Sequence, residues 1–176
     1  MKTYIALLRG INVGGHKKTP MAELRALLEK KGLENVKTYI QSGNIVFQSS
    51  IKQKPEIEEL IKIAILDNFG FEVPTLVKTR DELQTIFDQC PFQKEKKENS
   101  YFTLLFKEPD KNMIAEASNI SYPNEEIIIT PNCLYFYCEM GYGQAKFNGK
   151  LFEKKLDTTF TARNYRTMAK LLEMSA

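Results

Sequence analysis

The residues best suited to bind a ligand lie between Arg9 and Met21, where the chain reads Arg-Gly-Ile-Asn-Val-Gly-Gly-His-Lys-Lys-Thr-Pro-Met. Backbone N–H groups in a glycine turn that leads into a helix suit phosphate or carboxylate groups, and neighbouring Lys and Arg side chains add positive charge. This segment therefore predicts a site for a small anionic or phosphorylated ligand. The alternative is a tight connection between strand and helix whose lysines only face solvent. The candidate ligand-binding residues of the segment are Arg9, Gly10, Asn12, Gly14, Gly15, Lys17 and Lys18.

The same segment does not match the phosphate-binding loop of nucleotide triphosphatases. Gly10 and Gly15 have the separation of the G-x-x-x-x-G-K-[ST] motif, but His16 stands where the motif requires lysine. The sequence contains no G-x-S-x-G elbow, and His16 is the only histidine that could activate a nucleophile. No motif specifies a reaction, so the sequence leaves open whether the protein is an enzyme.

Two other polar segments extend the candidate site. The first is the tip of a predicted hairpin, which contributes Gln41, Ser42 and Asn44. The second lies near the C-terminus and contributes Arg163, Asn164 and Arg166. Helical spacing of these arginines with Lys170 predicts a basic helix face, which could meet a phosphate or pair with acidic residues of the same chain. A further glycine segment, residues 141–144, is interpreted as a plain turn.

Composition narrows the class of protein. The chain of 176 residues is 43% hydrophobic, which is enough for a packed core. No apolar run is long enough for a secretory signal or for a membrane span of about 20 residues, so we expect a cytoplasmic protein without membrane contact. Three cysteines without a CxxC pair and a single histidine predict neither a disulfide framework nor a metal site, and no cofactor is implied.

The net charge of +3 is unevenly distributed along the chain. Residues 1–50 and 141–176 are basic, whereas residues 51–140 carry an excess of Asp and Glu. The two basic ends could converge on an anionic ligand in the folded protein. The alternative is that these charges only keep separate helix faces in solvent.

Hydrophobic periodicity predicts the elements that position the candidate residues in the first half. The prediction is a strand at 3–9, a helix at 20–31, strands at 36–41 and 44–49, a helix at 55–69 and a strand at 73–78. Thr19 is predicted to cap the first helix. A two-residue turn at Ser42-Gly43 predicts pairing of Gln41 with Asn44 and of Ile40 with Ile45. The order β-α-β-β-α-β is that of a ferredoxin-like fold, or α/β plait.

The second half repeats this order after a joining helix. That helix begins with a capping box at Thr79 and Glu82, and a charged loop at 93–100 follows. We predict a strand at 101–106, a helix at 109–117, strands at 126–130 and 133–139, a helix at 147–156, a strand at 158–161 and a terminal helix at 163–174. The predicted fold class is therefore α+β, with two ferredoxin-like halves, antiparallel sheets and a C-terminal helix. The predicted boundary separates residues 1–79 from residues 80–176.

Three motifs carry a resemblance to a known family. They are Tyr-Ile-Ala-Leu-Leu-Arg-Gly-Ile-Asn-Val-Gly-Gly at 4–15, Tyr-Ile-Gln-Ser-Gly-Asn at 39–44 and Thr-Ala-Arg-Asn-x-Arg-Thr at 161–167. Together they resemble the bacterial family catalogued as domain of unknown function 1697, over essentially the whole chain. The resemblance implies two ferredoxin-like halves in a cytoplasmic bacterial protein and implies no activity. His16 and Tyr165 depart from it, since lysine and tryptophan are expected more often at those positions.

Three functions are compatible with these observations. The first is a binding or regulatory module for a small anionic or phosphorylated ligand, and the second is an enzyme of unrecognised chemistry acting on a phosphorylated metabolite. The third, which is less favoured, is a nucleic-acid-binding protein that would stack bases on Tyr39, Tyr135 or Tyr137, although an RRM consensus is missing. If the three polar segments form one site, Asn12, Asn44 and Arg163 must approach one another. The oligomeric state is not predicted.

Overall fold

The computed structural model describes all 176 residues and contains eight strands, seven α-helices and one short 3-10 helix. The first six elements are β1 (Lys2–Leu8), α1 (Met21–Lys30), β2 (Glu34–Tyr39), β3 (Asn44–Ser49), α2 (Lys54–Phe69) and β4 (Thr75–Thr79). Two helices follow, α3 (Arg80–Asp88) and α4 (Lys94–Glu98). The remaining elements are β5 (Tyr101–Leu105), α5 (Lys111–Ala117), β6 (Glu125–Ile129), β7 (Cys133–Cys138), the 3-10 helix (Tyr142–Gln144), α6 (Gly149–Leu156), β8 (Phe160–Asn164) and α7 (Tyr165–Met174).

The strands form two four-stranded antiparallel sheets with the same strand order. The orders are β2-β3-β1-β4 and β6-β7-β5-β8, and helices connect the strands of each sheet as in a ferredoxin-like fold. The predicted fold class is confirmed. The chain divides into two compact units, which we call the first unit (Met1–Gln84 with Ala169–Ala176) and the second unit (Thr85–Met168). None of the helices has the length and apolar character needed to cross a membrane.

The core of the first unit is built on β1, which lies between β3 and β4. Tyr4, Ala6 and Leu8 alternate along β1 and lie in one hydrophobic cluster with Leu24 of α1 and Ile61 of α2. All five side chains are at most 2% exposed. Because full burial of a large apolar side chain contributes about 1.5–3 kcal/mol, this cluster holds the sheet against both helices and determines where the segment after β1 begins.

The second unit has its own core, which includes several packed aromatic rings. Phe147 packs against Phe136 of β7 and Phe152 of α6, with ring centroids 4.9 Å apart in both pairs. Leu134 and Leu156 belong to the same cluster. Such ring pairs add about 0.5–1.5 kcal/mol to the free energy gained by burial. This packing fixes the end of β7, from which the glycine segment at 141–144 departs.

The hairpin between β2 and β3 does not have the predicted register. Tyr39 pairs with Asn44, and Thr38 pairs with Ile45. The predicted two-residue turn is therefore wrong, and the tip has four residues, 40–43. It begins at Ile40, whose φ of 48° takes the chain out of the extended conformation. Because the register moves by two residues and side chains alternate with a period of two, the residues that remain in β2 keep their faces, but Ile40 moves into the tip and is exposed.

The predicted cap of α1 is also wrong. The helix begins at Met21 and has no side-chain cap. The hydroxyl of Thr19 instead donates to the carbonyl oxygen of Lys17 at 3.1 Å. Thr19 is therefore part of the loop that precedes the helix.

Two predictions in the second half need correction. The charged segment at 93–100 contains a short helix, α4, where an irregular loop was predicted. Arg163 lies in β8, opposite Phe102 of β5, and is not in the terminal helix. Helix α7 begins later because the side chain of Asn164 accepts a hydrogen bond from the N–H of Thr167 at 2.9 Å. Arg163 therefore does not share a helix face with Arg166.

The predicted capping box at the start of α3 is confirmed. The N–H of Glu82 donates to the hydroxyl of Thr79 at 3.2 Å, and the N–H of Thr79 donates to the Glu82 carboxylate at 2.8 Å. Lys54 donates to the other oxygen of this carboxylate. Burial raises the pKa of Glu82, but the hydrogen bonds from Lys54 and Thr79 together outweigh it, so the pKa of this carboxyl lies below its usual value.

The lowered pKa of Glu82 predicts a pH dependence of stability. The stability that this carboxylate contributes is fully present above its unfolded-state value near 4.5 and is lost as the pH falls through the lower folded-state value. In urea unfolding we expect Glu82→Gln to be less stable than wild type at neutral pH, with a difference that shrinks below 4.5. Glu29→Gln, on an exposed side chain of α1, is the control. A difference that stays constant across the titration would contradict this prediction.

The tightest point of the hairpin tip is Gly43, which has a φ of 82°. A Cβ added there would lie 2.5 Å from the Cβ of Leu8. We expect Gly43→Ala to lower the free energy of unfolding by roughly 2–5 kcal/mol, because backbone strain and overpacking add. Gly15→Ala is a matched control, since its φ is 78° and nothing lies within 4 Å of the added Cβ. Urea denaturation should give the control a loss of only about 1–2 kcal/mol, and equal losses would rule out the steric clash.

Candidate functional site

The exit from β1 is held by the backbone and by core packing. The N–H of Arg9 donates to the carbonyl oxygen of Pro74 at 3.0 Å, and Arg9 is half-buried. Gly10 follows with a φ of 74°, and Ile11 turns back into the core, where it is 1% exposed. These contacts fix the point at which the candidate loop leaves the sheet.

Asn12 anchors the base of the loop. Its side-chain oxygen accepts from the N–H of Thr19 at 2.8 Å, and its amide nitrogen donates to the carbonyl oxygens of Thr19 at 3.1 Å and Gln41 at 2.8 Å. Its own N–H donates to the carbonyl oxygen of Lys17 at 3.2 Å. Both hydrogens of the side-chain amide are used, so Asn12 positions the loop and ties it to the hairpin tip.

The outer part of the loop, residues 13–18, exposes donors and positive charge. The amide N–H groups of Gly14 and Gly15 make no hydrogen bond within the protein. The side chains of His16, Lys17 and Lys18 are exposed. The ammonium group of Lys17 donates to the carbonyl oxygen of Glu72 at 2.7 Å, which leaves two of its three hydrogens available. Since the segment contains no Asp or Glu, these groups form a compact basic surface.

The hairpin tip lies beside the base of this loop. Leu8 N–H donates to the carbonyl oxygen of Gly43 at 2.8 Å, which holds the tip against the end of β1. Asn44 is buried, and its amide donates to the carbonyl oxygen of Tyr39 at 3.1 Å and to the hydroxyl of Ser42 at 2.9 Å. Gln41 and Ser42 are exposed. The structure thus brings the loop after β1 and the hairpin tip together, and the side chain of Asn44 is buried beneath the tip.

The third polar segment belongs to the second unit, and its members differ in burial. Arg163 is 7% exposed, and its guanidinium group donates to the hydroxyl of Thr161 at 2.7 Å and to the carbonyl oxygen of Ala162 at 2.8 Å. Burial lowers the pKa of Arg163 to about 10. Arg166 is exposed and has no ion-pair partner. The approach of Asn12 and Asn44 to Arg163 stays a prediction.

The second unit contains a cavity of about 590 Å³ that the sequence did not identify. Asn164 and Arg166 line it, together with Tyr101, Glu139 and Tyr142. The available signal was the glycine segment at 141–144, which was interpreted as a plain turn. The sequence could not reveal its neighbours, because Tyr101 reaches the cavity from a strand far away in the chain.

Two of the tyrosines considered for base stacking have other contacts. Tyr135 is buried, and its hydroxyl donates to the carbonyl oxygen of Ile86 at 2.7 Å. The ring of Tyr137 packs against Phe92, with centroids 6.2 Å apart, and the ammonium group of Lys96 lies 5.4 Å from its centre. Tyr135 therefore cannot stack on a base in this conformation.

The cysteines are all free thiols. Burial raises the pKa of Cys133 well above its usual value and also raises the pKa of Cys90. Since the thiolate is the reactive form, both side chains are poor nucleophiles. No group of three or more His, Cys, Asp or Glu side chains is arranged to hold a metal ion.

The role of Asn12 as an anchor can be tested by substitution. Asn12→Ala removes three side-chain hydrogen bonds, so we expect the free energy of unfolding to fall by roughly 2–3 kcal/mol and the amide of Thr19 to exchange faster with deuterium. Asn12→Gly is the control for backbone conformation, because it loses the same bonds but tolerates the φ of 54°. Unchanged protection of the Thr19 amide in both variants would show that Asn12 does not hold the loop.

Comparison with known proteins agrees with this architecture. The family model described as protein of unknown function (DUF1697) matches residues 1–135. Among solved structures, the chain is similar to the conserved bacterial protein SP0830 from Streptococcus pneumoniae, with 26% sequence identity and a TM-score of 0.79 over 99% of this chain and 98% of that chain. The search of curated proteins found no match. Since the family model spans well over half of the sequence, the chain belongs to the DUF1697 family.

Proposed function

We propose that the protein is a binding module for a small anionic or phosphorylated ligand, and that loop 13–18 of the first unit holds this ligand. The observation that carries the proposal is that two unbonded amide N–H groups, those of Gly14 and Gly15, lie in a segment with three exposed basic side chains and no acidic one. Amides donate hydrogen bonds to an oxyanion, while lysines supply the opposite charge. A phosphate or carboxylate group matches both features.

The fixed geometry of the loop supports the proposal further. Asn12 closes the base of the loop through its hydrogen bonds to Thr19. In the outer part of the loop, the N–H of His16 donates to the carbonyl oxygen of Val13 at 2.9 Å. Lys17 is oriented by its bond to Glu72. A loop that is ordered before binding loses less conformational entropy when a ligand arrives, so more of the contact energy appears as affinity.

The small size of this basic surface favours a small ligand over a polymer. Three basic side chains and two amides match a single phosphoryl or carboxylate group, whereas a nucleic-acid backbone needs cations spread along several phosphates. An enzyme acting on a phosphorylated metabolite is the alternative, in which exposed His16 would be the candidate for proton transfer. The two functions differ in whether the bound molecule changes chemically.

The proposal predicts that the two lysines of the loop contribute to affinity. We would titrate wild type and the double variant Lys17→Gln/Lys18→Gln with inorganic phosphate, phosphoserine and ribose 5-phosphate, using isothermal calorimetry at low salt. Two exposed charge contacts contribute about 1–2 kcal/mol together, so we expect the dissociation constant to rise roughly 5- to 30-fold in the variant. Added salt should weaken binding to wild type more than binding to the variant.

A control variant separates the loop from net charge. Lys30→Gln/Lys31→Gln removes the same charge from exposed side chains at the end of α1, and we expect it to bind as wild type does. Equal losses in the two double variants, or no binding of any probe to wild type, would refute the proposed site. Turnover of a phosphorylated probe, followed by phosphorus NMR and lost in His16→Gln, would favour the enzyme instead.

A further inference from the structure

The cavity of the second unit contains an aromatic surface that is left partly open. The rings of Tyr101 and Tyr142 stack with centroids 4.1 Å apart and an interplanar angle of 26°. Phe136 meets Tyr142 edge-on, with centroids 6.0 Å apart. Tyr142 is nevertheless 50% exposed, so part of its ring has no protein partner. A planar ligand ring could extend this stack and remove apolar surface from water.

The backbone that carries Tyr142 is held in an unusual conformation. Gly141 has a φ of 87° and a ψ of 152°, a region that is essentially restricted to glycine. No atom lies within 4 Å of a Cβ built on Gly141, so the position requires glycine for its backbone angles and not for lack of space. Two turn hydrogen bonds of 3.1 Å follow, from Gln144 to Gly141 and from Ala145 to Tyr142. Glycine at 141 therefore allows the turn from which Tyr142 packs back onto Tyr101.

The cavity also contains opposite charges. Arg166 and Glu139 both line it, and neither side chain makes an ion pair, although Lys96 is near enough to Glu139 to interact with it electrostatically. The side-chain oxygen of Asn164 accepts a hydrogen bond from the N–H of Thr167, and the side-chain NH2 group donates to no atom of the protein. A second carboxylate, that of Glu98, also lines the cavity. The pair of carboxylates disfavours a polyanion, whereas Arg166 favours a single anionic group.

An adjoining cavity of about 370 Å³ shares Tyr137 and Glu139 with the first and contains an unsatisfied acceptor. One carboxylate oxygen of Glu125 accepts from the N–H of Lys146, but the other is buried without a hydrogen-bond partner. A buried carboxylate oxygen without a donor is unfavourable and calls for a physical explanation. Glu125 and Glu139 both line this cavity, and their negative charge favours a cationic group there.

We propose that the cavity of about 590 Å³ binds a small zwitterionic aromatic molecule, whose ring stacks on Tyr142, whose anionic group meets Arg166 and whose amino group faces Glu139. The volume of the cavity is within the range of about 300–1,000 Å³ that is typical of small-molecule sites. The inference does not depend on the loop of the first unit, since it concerns a different unit and a ligand of different charge.

Three probes that differ by one charged group test the inference. L-Phenylalanine carries both charges, 3-phenylpropionate carries only the anion, and 2-phenylethylamine carries only the cation. We would measure their dissociation constants by NMR titration of the full chain. We expect L-phenylalanine to bind most tightly. Arg166→Gln should raise the dissociation constants of L-phenylalanine and 3-phenylpropionate roughly tenfold and leave that of 2-phenylethylamine unchanged. Glu139→Gln should raise those of L-phenylalanine and 2-phenylethylamine and leave that of 3-phenylpropionate unchanged. Tyr142→Ala should weaken the binding of all three probes.

Charge controls come from the first unit, where Arg25→Gln and Glu29→Gln remove the same charges without touching the cavity. Binding of the probes to these controls should equal binding to wild type. The inference is overturned if no probe saturates wild type, if Arg166→Gln and Glu139→Gln affect the three probes equally, or if the controls lose as much affinity as the cavity variants. Phosphate titration of the same samples reports separately on the first-unit loop and should not change.

Discussion

The approach of Gly43 to Leu8 is the constraint on which the arrangement of the candidate loop depends. A backbone without a side chain at Gly43 lets the hairpin tip lie against Leu8 and accept a 2.8 Å hydrogen bond from its N–H. That contact brings the carbonyl oxygen of Gln41 within reach of Asn12. Asn12 then holds the far end of the loop through Thr19. The exposed basic residues are therefore positioned by a series of contacts that begins in the core.

The two units share one strand order and yet present different chemistry. The strand order does not determine the sequence or the shape of the loops that follow the strands. After β1, the chain forms a basic loop closed by Asn12. After β7, the chain turns at Gly141 and packs the ring of Tyr142 on Tyr101, beside a cavity that Glu139 and Arg166 also line. Membership of the DUF1697 family accounts for the fold, while function has to be argued from these local sites.

Several features of the fold and site followed from sequence patterns and others did not. The order of the strands, the helices between them other than α4, and the capping box at Thr79 and Glu82 were predicted, because each depends on residues close together in the chain. The hairpin register was not, because it depends on the positive φ of Ile40 and on the packing of Gly43. Arg163 was misplaced in a helix because pairing with β5 extends β8 beyond its apolar residues.

The sequence by itself determined the α+β fold class, the family and the concentration of basic residues around two adjacent glycines. Periodicity, turn chemistry and charge are properties of neighbouring residues, so they can be recognised without a structure. Only the tertiary structure decided that Asn12 and Asn44 are committed to internal hydrogen bonds while Arg166 is open. Only the tertiary structure placed Tyr101, Glu139 and Tyr142 around one cavity. Burial and long-range contacts decide both outcomes, because they join residues that are distant in the chain.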